Sequence, residues 1–146
     1  MITSFEGRYS FLSNFYAAQT QYEGFLYPTS EHAYQAAKTV NKSERIKILM
    51  AGTPDDAKHL GRKIELREDW EEVKDQIMYE IVKSKFKNAG LARKLLNTKD
   101  ERLCEGNYWH DNYWGACTCP KCILLPRKNK LGKILMQVRK ELREDQ

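Results

Sequence analysis

From Asp69 onward, Trp70, Val73, Ile77, Ile81 and Phe86 recur at helical spacing, with Met78 and Val82 beside them. An apolar stripe with a period near 3.6 residues, sustained over several turns, is stable only when the rest of the chain packs along one side of a long helix. The spacing predicts that helix as the core element. At 146 residues the chain has the length of one ordinary domain, and an apolar fraction of 41% can fill its core. We expect a single domain over 1–146, and the composition excludes a disordered chain.

The remaining elements are signalled by turns and caps. Residues 2–27 are rich in Tyr, Phe, Thr and Gly without helical spacing, and Glu23-Gly24 between two aromatic runs predicts a hairpin of short strands. Pro28 is expected to stop the second strand, with Thr29 or Ser30 capping a helix that has Glu31 in its first turn. Asn41 with Glu44 makes a capping box for a short helix expected to end at Gly52, and Thr53-Pro54-Asp55-Asp56 starts another that Gly61 closes. "LARKLL" is a small helical piece, and Leu131, Ile134, Leu135 and Val138 predict an amphipathic C-terminal helix. The fold class is α+β, predominantly helical, with a few short N-terminal strands.

Twenty-five Lys and Arg against twenty Asp and Glu leave a net charge of +5, spread through mixed-sign segments. This is a weak pull toward an anionic partner, a phosphorylated metabolite or a nucleic acid. "MITSFEGRYSFL" lacks the basic segment and long apolar run of a secretory signal, and no window approaches ~20 apolar residues. A cytoplasmic protein with no membrane partner is expected. In that compartment Cys104, Cys117, Cys119 and Cys122 are thiols or metal ligands sooner than disulfides.

Three constellations carry chemistry. On a helix, Glu31, Gln35 and Lys38 share one face, while Ala33, Ala36 and Ala37 make the other side slim; the same face could equally be a solvated one. Asp111 among Trp109, Tyr113 and Trp114 is a carboxylate set among rings that could stack on a flat ligand, or a residue that accepts backbone hydrogen bonds in a turn. Cys117, Cys119 and Cys122 form C-x-C-x-x-C, with Cys104 upstream as the only other cysteine for an all-thiolate zinc site; reduced, partly buried thiols are the alternative. Arg8, Ser13, Asn14 and Arg62 offer donors suited to a phosphate, or are surface and capping groups.

Five segments, "FLSNFY", "YPTSEHAYQAAK", "TPDDAKHLGRKIELREDW", "NYWG" and "NKLGKILMQVRKEL", occur in the order and spacing of the NADAR, or YbiA-like, family, and the chain resembles it from about Phe5 to Leu142. The resemblance implies a hydrolase of N-glycosidic bonds. Its substrates would be early riboflavin-pathway intermediates, or ADP-ribose on guanine bases of nucleic acid. Both join ribose C1 to an exocyclic amino nitrogen. Carried onto this sequence, it implies Glu31, Lys38 and Asp111 as catalytic residues, with Trp70, Trp114 and Phe15 among the substrate contacts and Arg8, Ser13, Asn14 and Arg62 holding phosphate.

Two routes are open. Glu31 and Asp111 could act as an acid and base pair through an oxocarbenium-like state. Alternatively the ribosylamine opens to an imine that Lys38 attacks, with Glu31 moving protons, which is the reading we favour. Neither route requires a cofactor or a catalytic metal. The Cys-rich stretch after Trp114 departs from the shortest family pattern, so a structural zinc there stays open. The competing classes are a binding module for ADP-ribose without turnover and a zinc-stabilised nucleic-acid-binding protein.

Overall fold

A computed structural model describes residues 1–146, and the chain divides into two compact units, Asn14–Lys87 and Met1–Ser13 with Asn88–Gln146. As expected, the architecture is α+β and mostly helical with short strands.

In the unit Asn14–Lys87, β1 (Ala17–Tyr22) and β2 (Phe25–Thr29) form an antiparallel hairpin. Glu23 and Gly24 turn it with φ of 45° and 87°, the left-handed pair that matches strand twist. Pro28 does not end β2, which continues to Thr29 opposite Ala17. A two-stranded sheet has only edge strands, so a residue without an N–H is tolerated where no partner needs the donor.

Thr29 then caps α1 (Ser30–Ala37), its hydroxyl accepting from the His32 N–H at 3.1 Å. The buried His32 ring fixes this helix to the next: Nδ1 lies 2.7 Å from Thr29 Oγ and Nε2 lies 3.0 Å from the Ala51 carbonyl. Helix α2 (Lys42–Leu49) is capped by Asn41 and α3 (Pro54–Gly61) by Thr53, as their sequences predict. The expected extension of α2 to Gly52 does not occur. Ala51 N–H bonds to Ile48 in a tightened last turn, and Ala51 presents its carbonyl to His32 instead.

The predicted core helix is α4 (Trp70–Lys85), with Trp70, Ile77, Met78, Ile81 and Val82 buried. It packs on β1 and α1. Helix α1 is the hub of the unit: α2, α3, α4 and both strands contact it, and all eight of its residues are buried. Its three alanines allow that close approach, so its polar side chains are enclosed by protein and must be satisfied there.

In the other unit, Gly7–Leu12 is a 3₁₀ turn, and α5 (Ala89–Leu96), capped by Asn88, packs on α6 (Lys130–Glu144). Ile2 bridges Leu103 in parallel, and β3 (Gly106–Asn107) pairs in parallel with β4 (Ala116–Cys117), a second small sheet that the sequence did not announce. The "NKLG" segment joins these parts. Asn129, at φ 48°, accepts from the Glu105 N–H and donates to the Leu103 carbonyl, both at 2.9 Å. A Cβ at Gly132 would collide with that same carbonyl, so only glycine lets α6 pass it. No helix of the chain is long and apolar enough to cross a membrane.

Candidate functional site

On the face of α1 expected to carry chemistry, Glu31 and Gln35 are enclosed and Lys38 is half-buried. Glu31 is 7% exposed and Gln35 3%, and Gln35 Nε2 donates to Glu31 Oε2 at 2.5 Å across one helical turn. The other amide atom, Gln35 Oε1, is buried with no donor. Asn14 holds the start of the helix: its carbonyl accepts from the Glu31 N–H at 3.0 Å, and its side-chain oxygen accepts from Ser30 Oγ at 3.1 Å. Its Nδ2 points to Met78 Sδ at 3.5 Å, so the polar atoms expected to hold phosphate are already engaged within the protein.

Lys38 caps the far end of α1. Burial pushes its ammonium below the ordinary lysine value; Glu31 opposes this, and Arg62, Lys58 and Lys74 add to the depression. A half-buried amine among cations gives up its proton more readily than a surface lysine. Lys38 Nζ also lies 5.6 Å from the centre of the Tyr34 ring.

Trp70, expected to stack on substrate, is 5% exposed and packs against Tyr34 with centroids 5.3 Å apart. A ring so enclosed supports the helix and has little face left for a ligand. Phe15 is the exposed ring of this unit, with Lys58 Nζ 5.9 Å from its centre. Arg62 is exposed at the C-terminal cap of α3, within electrostatic reach of Lys38.

Arg67 was missed by reading the sequence. Its N–H donates to the Lys38 carbonyl at 2.8 Å and its guanidinium reaches the Ala37 carbonyl at 3.4 Å, satisfying acceptors that the end of α1 leaves open. Asp69 grips the same guanidinium with both oxygens, at 2.6 and 3.1 Å. The opposite charges of Arg67 and Asp69 in "LREDW" are the only local signal, and they do not say which helix end is met.

The remaining expected site residues belong to the other unit. Arg8 is exposed and donates to the hydroxyl of Tyr9, and Ser13 closes the 3₁₀ turn through a backbone bond to Ser10. Asp111 makes the turn that its sequence context allowed: Oδ1 accepts from the N–H groups of Tyr113 and Trp114 at 3.1 and 2.9 Å, and Asn107 brackets its backbone. Tyr113 and Trp114 meet edge to face, and Lys128 and Lys130 lie 5.2 and 4.8 Å from the Tyr113 ring centre.

The cysteines form no disulfide. Cys104, expected as the partner of the C-x-C-x-x-C segment, is not in the cluster that assembles; His110 takes that place beside Cys117, Cys119 and Cys122, with all four donor atoms within 4.8 Å of one another. A histidine outside the cysteine spacing gave no signal until the loop folded.

A NADAR domain model matches residues 3–143 and so spans both units. N-glycosidase YbiA of Escherichia coli (strain K12) is 36% identical over 137 residues, which are 92% of this chain and 82% of that protein. An N-glycosidase of Nostoc punctiforme is 41% identical over 141 residues, covering 92% of this chain and 86% of that one. A riboflavin biosynthesis protein of Vibrio vulnificus is 37% identical over 139 residues, but the chain spans 36% of its length. The NMR structure of E. coli YbiA superimposes with a TM-score of 0.83 at 34% identity, covering 99% of this chain and 86% of that one. The chain belongs to the NADAR domain family.

Proposed function

We propose that this chain hydrolyses the bond between ribose C1 and an exocyclic amino nitrogen of a guanine-like or pyrimidine base, through a Schiff base on Lys38. It is a glycosidase, as are the relatives named N-glycosidase that are 36% and 41% identical over most of its length. The observation that carries the route is that one helix and its C-cap present a buried carboxylate, Glu31, and an amine, Lys38, whose pKa burial and neighbouring cations lower.

The steps balance without an outside reagent. The ribosylamine ring opens as its N–H proton moves to the ring oxygen, leaving a C1=N imine. Lys38 Nζ adds to C1 and Glu31 carries the two Nζ protons to the base nitrogen, so that the base departs as its free amine and C1 is left double-bonded to Nζ. Water adds to C1, the C1–Nζ bond breaks, and the sugar closes again while Lys38 recovers its amine. A base nitrogen without an N–H cannot enter this route, which restricts the substrate class. Lys58, Arg62 and Lys74 around Lys38 suit the phosphate of a ribose 5-phosphate or the diphosphate of ADP-ribose.

The net charge of +5 and the Tyr113, Lys128 and Lys130 cluster favour ADP-ribosyl-guanine in nucleic acid over a free metabolite. Guanine-ADP-ribosylated DNA and a ribosylamino-pyrimidine phosphate, assayed in parallel for release of ADP-ribose or base, test the substrate class. Borohydride added with substrate should leave a covalent sugar adduct on Lys38, and Lys38→Arg should abolish it. Absence of an adduct with normal turnover would overturn the Schiff-base route.

A further inference from the structure

We propose that His110, Cys117, Cys119 and Cys122 form a structural zinc site that fixes the loop carrying Asp111 and Trp114. With Zn–S of about 2.3 Å and Zn–N of about 2.0–2.1 Å, a tetrahedral centre sets roughly 3.6 Å between a nitrogen and each sulfur. His110 Nδ1 lies 3.4 Å from Cys122 Sγ, 3.4 Å from Cys119 Sγ and 3.7 Å from Cys117 Sγ. One nitrogen is thus nearly equidistant from three sulfurs at the edge length that a shared ion imposes, while no pair of the sulfurs is bonded.

The backbone is arranged around the same point. His110 sits at φ 69°, in the left-handed region that residues with a side chain occupy uncommonly. The Cys119 N–H is directed at Cys117 Sγ at 3.5 Å, and the Cys122 N–H closes a turn onto the Cys119 carbonyl at 3.0 Å, so the knuckle presents its sulfurs to one side. Arg127 donates to the Cys117 carbonyl at 3.2 Å and places a positive charge beside a centre that would carry one net negative charge with three thiolates and a divalent ion. Three soft sulfurs and one imidazole in a tetrahedron select zinc over hard cations such as magnesium or calcium.

The loop also needs such a clamp. Between α5 and α6 the only regular structure is two strands of two residues each, and Tyr108, Trp109, Ile123, Leu124 and Leu125 are exposed. Little apolar burial is available to order this stretch, and a bound ion supplies cross-links in its place. His110 immediately precedes Asp111, and Cys117 follows β4's Ala116, so the chelate ring encloses Asp111 and Trp114.

The test uses the full chain purified under reducing conditions without added zinc or chelator. Elemental analysis should find one zinc per chain, and cobalt substitution should give the intense visible bands of a tetrahedral ion with thiolate-to-cobalt charge transfer. Cys104→Ser should keep the metal, whereas His110→Ala and Cys119→Ser should each weaken binding by at least tenfold. Chelation should speed proteolytic cleavage within 107–128 while α4 remains protected. Metal-free protein that gives no tetrahedral cobalt spectrum would overturn the assignment. So would an intact mass showing a disulfide among these cysteines, or loss of the metal from Cys104→Ser with full retention in His110→Ala.

Discussion

Gln35 Nε2 holds Glu31 Oε2 at 2.5 Å, and the space that lets Gln35 do so is a missing side chain: a Cβ on Gly61 would overlap the Gln35 amide. Gly61 therefore does more than close α3. It allows α3 to approach α1 closely enough to enclose the Glu31–Gln35 pair, and the orientation of the carboxylate depends on that approach.

Gly61→Ala is expected to displace the amide and lower kcat by at least tenfold, because Glu31 loses its fixed orientation. Overpacking of this kind costs about 1–3 kcal/mol, so thermal unfolding should show a moderate fall in Tm with a folded protein remaining. Gln35→Leu removes the same hydrogen bond while leaving Gly61 in place. Wild-type kcat in both variants would remove the positioning role of Gln35.

The environment of Lys38 sets a pH dependence. Burial, Arg62, Lys58 and Lys74 all hold its ammonium below the ordinary lysine value, so the free amine becomes available at lower pH than on a surface lysine. Arg62→Gln removes one of these cations and moves the titration upward. The rising limb of kcat against pH should shift to higher pH, with a several-fold loss near neutrality that recovers toward the ordinary lysine range. A limb that stays in place, measured at saturating substrate, would show that Lys38 is not the titrating group.

Arg67 fixes the backbone at the end of α1, and Asp69 fixes Arg67. Arg67→Met should reduce kcat severalfold with little change in KM, since Lys38 is misplaced while the phosphate contacts survive. Asp69→Asn should show the same split in weaker form, because its amide can accept only part of the bidentate pair. A change confined to KM would assign Arg67 to substrate binding.

Lys85 makes a prediction about stability. It is 1% exposed, and burial pushes its pKa down to about 7, with Tyr16 and Phe86 rings near its Nζ. The unfolded chain then holds more protons than the folded one between about pH 7 and the ordinary lysine value near 10.4, so stability rises with pH across that window. The penalty is complete below the folded value and absent above the unfolded one. Lys85→Met should flatten this slope, as denaturant titrations at pH 7 and 9 can check.

What the sequence by itself determined is what its own neighbours decide. Thr29, Asn41 and Thr53 cap α1, α2 and α3 because a side-chain oxygen meets an N–H three residues on, and the α4 stripe is visible because helical period is local. The hairpin at Glu23-Gly24 and the shared face of Glu31 and Gln35 follow in the same way. Other residues took their roles from partners far along the chain. Pro28 stays in a strand because that strand is an edge, Trp70 is enclosed against Tyr34, and Asn14 is engaged by Ser30 and Met78. Gly61 is required by Gln35, Arg67 meets Ala37, and His110 displaces Cys104 from the thiol cluster. Periodicity and caps act within about one turn, whereas steric exclusion, burial and convergence of donors depend on which distant segments meet, and only the tertiary structure decided that.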